Sequence, residues 1–430
     1  MVLTINTAVF PIFYSAVAGA GVSRNVSTSR YAFTTTVSLA AIAVLAPILG
    51  AIADYAAIKK RMLGTFMGIG VSAVALMYFI QQGDWLLASV LFALANIGAN
   101  GSFVMYDALL PHVARGDEMD RVSTTGYALG YLGSGLLLAL NLAWIQKPEW
   151  FGLPSGDDLT PAEASLPVRL SFLSVALWWL VFSIPLFRRI PEPPRTLEPD
   201  ESARASPVRT AFTRLAETFR ELRGFRNAFI MLLAFFVYND GIGTIIRMAA
   251  IYGTEIGIGQ TYLIASILIV QFVGVPFAVL FGTIAGRIGT KQTIYIGLVV
   301  YVGISIVGYF MRTATHFLLL AILVGTVQGG TQALSRSLFA SMIPRHKSGE
   351  FFGFFAVFEK FAGILGPAIF WLTITLTGSS RNAILSVIAF FVIGGTLLYF
   401  VNVEEGQRAA ARDAERAMRD AQNLEVAGDP

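Results

Sequence analysis

Apolar runs of about twenty residues or more recur along the whole chain. They lie near 1–21, 31–53, 62–82, 85–111, 123–146, 167–189, 226–252, 259–285, 292–311, 316–343, 350–377 and 381–402. At ~1.5 Å per helical residue, each covers a hydrocarbon core of ~30 Å. Lipid offers the backbone no hydrogen-bond partner, so a spanning segment must be a helix or part of a closed barrel. The runs lack the polar alternation of barrel strands. They therefore predict an all-α membrane protein of about twelve spans. Composition argues the same way: 55% of the 430 residues are apolar and 13% are charged, against roughly a quarter charged in a soluble chain. The net charge of +4 sits mostly in short loops, which marks topology and not a nucleic-acid surface. Without Cys, disulfides and thiolate metal sites are excluded, and His112, His316 and His346 are scattered. No metal or cofactor is expected, and no Gly-Lys-Ser/Thr loop is present to cradle ATP.

Lysine and arginine set the orientation. One set of loops holds eighteen: Lys59, Lys60, Arg61, Arg115, Arg121, nine arginines from Arg188 to Arg226, Arg287, Lys291, Arg345 and Lys347. The opposite set holds six: Arg24, Arg30, Lys147, Arg169, Arg312 and Arg381. The positive-inside rule puts both termini and the long central loop in the cytoplasm. The expected division is a six-helix bundle over 1–190, a central loop over 191–225, a second bundle over 226–402 and a charged tail over 403–430. Phe212, Leu215, Phe219 and Leu222 space as an amphipathic helix on the inner leaflet. The tail reads as a solvated helix or an unstructured end.

The two bundles repeat at a fixed offset of 232 positions, which relates Gly50 to Gly282, Asn96 to Gln328, Gly98 to Gly330 and Asn100 to Gln332. Four matches at one offset point to duplication, and parallel repeats of this kind mark transporters that rock one half against the other. The same offset starts the partner of the seventh span before Met1, which predicts a first helix shortened at its cytoplasmic end and an upstream start.

Charge at membrane depth narrows the site. A central ionisable side chain costs about 2.5–3.5 kcal/mol even on lenient scales, so it faces protein or water. Asp240 falls at the midpoint of the seventh span, with Arg247 about 10.5 Å further along the same face. Glu359 and Lys360 lie near the middle of the eleventh span. Two roles stand for Asp240: a substrate or proton site, or a structural partner of Arg247 or Lys360. Asn239 adjoins it. The amides Asn96, Asn100, Gln271, Gln328 and Gln332 read as substrate contacts or interhelical glue. Asp107 and Arg336 lie towards the cytoplasmic ends of the fourth and tenth spans, with gating or structural roles open. The third, sixth, ninth and twelfth spans carry no deep charge.

The loop Gly50-Ala-Ile-Ala-Asp54 followed by Lys59-Lys60-Arg61 resembles the gating loop of the major facilitator superfamily. Gly282-Thr-Ile-Ala-Gly286-Arg287 repeats it without the acid. Tyr238-Asn239-Asp240-Gly241, Val327-Gln328-Gly329-Gly330-Thr331-Gln332, Phe351-Phe352-Gly353-Phe354 and Tyr106-Asp107 resemble the vacuole-effluxer-like branch of that superfamily. Its fungal autophagy-related members release amino acids from the vacuole. Asp107 stands where that branch usually has Asn, and the Tyr-Asp-x-Ala-Asn stretch of its first helix is absent. The resemblance implies a major facilitator fold and secondary export or efflux of a small solute, amino acids first. Asp240 and Arg247 would then meet the two charges of a zwitterion. Asp54, Lys59, Lys60, Arg61 and Arg287 would gate, with Asp107 and Arg336.

The expected surroundings are the lipid bilayer, a small-molecule substrate and, as an option, a coupled proton, for a chain read as a monomer. The membrane would be the plasma membrane in a bacterium and an endomembrane or vacuole in a eukaryote. A different small polar solute such as a sugar or peptide, or a transport-inactive receptor or scaffold with the same fold, are the alternatives. An enzyme is not expected, because no His cluster or Cys nucleophile lies at depth.

Overall fold

The computed structural model describes residues 9–156, 158–194, 225–255, 257–362, 365–378 and 380–427. Among them no strand occurs. Helix α1 (Phe10–Phe13) runs into a π-helical turn, Tyr14–Ala18. Then come α2 (Arg24–Ala56), α3 (Lys59–Leu76), α4 (Trp85–Val113), α5 (Met119–Gln146), α6 (Pro161–Arg189), α7 (Arg226–Glu255), α8 (Gln260–Ile288), α9 (Thr290–Tyr309) and α10 (Ala314–Ser341). The chain closes with α11 (Ser348–Phe361), α12 (Leu365–Thr377), α13 (Ser380–Ser386), α14 (Ile388–Tyr399) and α15 (Val403–Ala427).

Ten helical stretches among the described residues are long and apolar enough to cross a membrane: α2 to α10, and α13 with α14 taken together over Arg381–Tyr399. Two expected spans differ. The first lies partly in residues outside those described. The eleventh is described as α11 and α12, with residues 363 and 364 between them outside those described. The amphipathic segment at 212–222 lies outside the described residues.

Caps punctuate the runs. Thr160 and Glu163 form a capping box at the start of α6, and Thr313 accepts the His316 N–H at the start of α10. Both satisfy orphan donors of a first turn. Outward faces stay apolar and bare: Val299 is 69% exposed, Trp371 66% and Leu376 75%. Only a lipid-facing surface tolerates that density of exposed apolar groups.

The chain packs as two compact units. One takes the described residues of Met1–Leu45, Lys60–Tyr106 and Gly133–Glu192; the other takes those of Ala46–Lys59, Asp107–Leu132 and Pro193–Pro430. The first has a core of Phe10, Phe13, Tyr14, Phe92 and Phe172, with Phe10 stacked on Phe92 at 4.6 Å. In it Gly98 of α4 lies directly on Gly70 of α3, and a Cβ there would stand 2.5 Å from the Gly70 nitrogen. The second is centred on Phe235, Tyr238, Phe339, Phe351 and Phe355. The ends of α2, α4 and α5 thus pack with α7–α14, and this places the residues described next. The tail helix α15 rests its first half on the same unit: Glu405 meets Asn227, and His346 lies 3.5 Å from Asp413.

Candidate functional site

Helices α2 and α11 cross through backbone. Gly50 lies against the Gly349 carbonyl, and Gly353 against Pro47, where a Cβ would stand 2.6 Å from the Pro47 Cα. One turn beyond Gly50, Asp54 is 4% exposed and its Oδ2 accepts the Glu350 N–H at 2.8 Å. Its Oδ1 lies 2.5 Å from Lys59 Nζ. The carboxylate therefore caps the positive end of α11 while holding an ion pair, and the two attractions share one buried anion. Ala57, at φ 52, makes the tight turn that returns Lys59 to Asp54. Lys59 Nζ is also 3.3 Å from His112 Nε2. That ring reaches Ser348 Oγ at 3.2 Å, and Ser348 donates to the Ala108 carbonyl. Lys60 and Arg61 do not join by their side chains; their N–H groups cap α3 on the Glu192 carboxylate at 2.8 and 3.2 Å. Arg287 is exposed.

A second group of charges lies further along the helices. Arg336 of α10 is 5% exposed. Its Nη1 donates to Asp107 Oδ1 of α4 at 2.7 Å. Its Nε donates to Ser123 Oγ of α5 at 3.1 Å, and Ser123 passes the chain on to the Ala333 carbonyl. The guanidinium carbon stands 5.0 Å from the Tyr127 ring centroid. Glu359 and Lys360 of α11 pair at 3.2 Å, close enough for both to act electrostatically on Asp107. Three helices thus deliver two acids and two bases to one neighbourhood, an arrangement that desolvation forbids unless the charges balance. With Nη2 also donating to the Ser123 carbonyl at 3.4 Å, the guanidinium is held through all three nitrogens and fixed in orientation, as a planar fork allows and a point charge does not.

Asp240 is fully buried. Its Oδ2 accepts the Gly366 N–H at 2.9 Å, and Thr244 donates to its carbonyl at 2.7 Å. It therefore anchors the first turn of α12. Arg247 follows on α7, but its side chain lies outside the described residues. Asn239, Gln328 and Gln332 are half-buried, and Gln271 is 8% exposed. Asn96 and Asn100 turn back on their own helix, donating to the Phe92 and Asn96 carbonyls.

Residues 15–411 match the family described as vacuole effluxer Atg22 like. The chain belongs to the vacuole effluxer Atg22-like family. YxiO of Bacillus subtilis (strain 168), an uncharacterized MFS-type transporter, is 40% identical over 403 residues, which are 94% of this chain and 91% of that one. Autophagy-related protein 22 of Yarrowia lipolytica (strain CLIB 122 / E 150) is 26% identical over 325 residues, covering 69% of this chain and 52% of that relative. Among solved structures, the proton:xylose symporter XylE aligns with a TM-score of 0.66 at 13% identity, over 93% of this chain and 92% of that one. A bacterial homologue of the iron transporter ferroportin, in its outward-facing state, aligns at 0.63 and 12% identity over 93% and 94%. At such identities the likeness shows the fold, that of the major facilitator superfamily. The protein is an integral multi-pass membrane transporter of that type.

In this Atg22-like chain several site residues escaped the reading from depth and charge. Ser123 and Tyr127, four residues apart, belong to one face of α5, a spacing legible in the sequence. His112, one turn past Asp107, was set aside for want of a second histidine.

Proposed function

We propose that the protein carries a small zwitterionic solute, amino acids first, by alternating access, moving it out of the compartment that lies across the membrane from its loops rich in lysine and arginine or out of the cell. The observation that carries this reading is the balanced group Arg336, Asp107, Glu359 and Lys360 on α4, α10 and α11. A zwitterion can take over both halves of such a group. Its carboxylate replaces Asp107 on Arg336, and its ammonium takes up the released Asp107, so no charge is left unpaired during the exchange. A neutral solute offers no such substitution. The efflux direction leans on the family description, and the cytoplasmic side on the positive-inside count.

The ligand then biases the equilibrium by binding one arrangement better than the other, with the two repeats rocking about the site. Asp54 and Lys59 close the cytoplasmic end. Asp240 keeps the eleventh span in register. Glu359, the more exposed acid of the inner group with a side chain 40% exposed, is the residue proposed for proton coupling. The protein works as a monomer.

The test is counterflow in liposomes with purified protein and a labelled panel of amino acids, dipeptides and sugars. Exchange of one or more amino acids is expected, with uptake only into vesicles loaded with the same solute. Exchange confined to sugars or peptides would overturn the substrate class. No exchange by protein whose folding is verified would overturn transport itself in favour of a receptor.

A further inference from the structure

The internal repeat places a second gate at the crossing of α8 and α5, and its expected acid is missing. Position 54 corresponds to Gly286 at the offset of 232. The surroundings are otherwise repeated closely. Ala57 and Gly289 correspond, and both turn at positive φ, 52 and 97. Gly50 lies on the Gly349 backbone of α11, and Gly282 lies on the Thr124 side chain of α5. Lys59 corresponds to Lys291. With no carboxylate at 286, Lys291 turns away and donates to the Tyr399 and Val401 carbonyls at 2.9 and 2.8 Å. The first crossing has an anion bridging two helices; the second should have been left without one.

An anion is nevertheless there, on the facing helix. Asp120, in the first turn of α5, accepts the Thr290 hydroxyl of α9 at 2.5 Å through Oδ2. Its Oδ1 accepts the Ser337 hydroxyl of α10. One carboxylate thus ties the start of α5 to the start of α9 and the last third of α10. We propose that Asp120 is the latch of the second repeat, the acid having moved across the crossing from α8 to α5. This rests on the alternating-access reading, and it assigns the residue that ties α5 to α9 and α10 beside the second crossing.

The two latches differ in chemistry. Asp54 is held by a cation and a helix N-terminus; Asp120 is held by two neutral hydroxyls. Both sets of bonds are charge-assisted through the carboxylate, but only the Asp54 latch adds an ion pair.

The chain has no Cys, so a single reporter cysteine can be added cleanly. Ala128, 4% exposed and two turns along α5 from Asp120, suits the purpose. Labelling of Ala128→Cys by a maleimide in purified protein reads how often the crossing opens, with no substrate needed. Asp120→Asn is expected to raise the labelling rate about fivefold, the effect of losing roughly one hydrogen bond's worth of stabilisation. Thr290→Val and Ser337→Ala, which keep the carboxylate but remove its donors, are each expected to raise it by a smaller factor. They also serve should the Asp120 variant fold poorly. Arg121→Gln, a neighbour on the exposed side, should leave it unchanged. Labelling unmoved by all three latch variants would overturn the proposal. So would an equal rise in the Arg121 variant, which would mean that charge near α5 matters and the latch does not. Raised labelling in a protein that exchanges no solute would keep the latch and discard the transport reading, so the two failures can be told apart.

Discussion

The Asp240 carboxylate of α7 receives the backbone N–H of Gly366, in the first turn of α12, at 2.9 Å. A carboxylate there satisfies one orphan donor of a helix start and faces the positive end of the helix dipole. Asp240→Asn keeps an oxygen for that N–H, whereas Asp240→Ala leaves it buried and unpaired, a loss of about 1–3 kcal/mol. The melting temperature of purified protein should therefore fall in the order Asn, then Ala. An equal fall in both would mean the charge alone matters.

The ion pair Asp54–Lys59, with side chains 0% and 4% exposed, should behave as a buried pair. Removing one member strands the other charge, at about 3–5 kcal/mol. Lys59→Met and Asp54→Asn are each expected to lower the melting temperature clearly, and the double variant to recover much of the loss. The double-mutant cycle should give a coupling above ~1 kcal/mol. Additive losses would show that the two side chains act separately.

How far these arrangements could be read from residues alone differs by scale. Spans and repeat are legible because apolar length and a constant offset are properties of the chain itself. The depth of Asp240 told that it must be satisfied, but not by what, since its partner is a backbone N–H 126 residues away. Asn96 and Asn100 look alike as ligands and as self-bonded amides, because the choice is made by the Phe92 and Asn96 carbonyls one turn back. Gly286 marks a missing acid, yet only packing of α5 against α9 and α10 supplies Asp120 in its place.

Two glycines on one stretch of α3 should respond oppositely to alanine. A Cβ on Gly70 would stand 2.5 Å from the Trp179 ring, while one on Gly68 meets nothing within 4 Å. Gly70→Ala forces the rigid indole or the helix to move, costing about 1–3 kcal/mol. Gly68→Ala gains up to about 1 kcal/mol of helix propensity. Melting temperatures of the two variants should bracket the parent. Parallel shifts would contradict the close approach of α3 and α6.

Arg336 is the residue on which the substrate proposal can be tested most sharply. Its Nη1 holds Asp107 at 2.7 Å while its Nε holds Ser123 at 3.1 Å. Lysine keeps the positive charge but presents no planar fork, so it can serve the carboxylate or the hydroxyl and not both in this geometry. If a substrate carboxylate takes Asp107's place on the guanidinium, Arg336→Lys should weaken binding by roughly tenfold, the equivalent of ~1.4 kcal/mol. The charge-assisted bond it disturbs is worth about 1.5–3 kcal/mol, so an effect of that size is reachable without unfolding. Exchange at saturating solute should suffer less, because the charge itself remains. Measured as concentration dependence of counterflow, a raised KM with a largely preserved maximum would fit that role. An unchanged KM with a collapsed maximum would instead place Arg336 in the gate, holding α4, α5 and α10 together while the solute binds elsewhere.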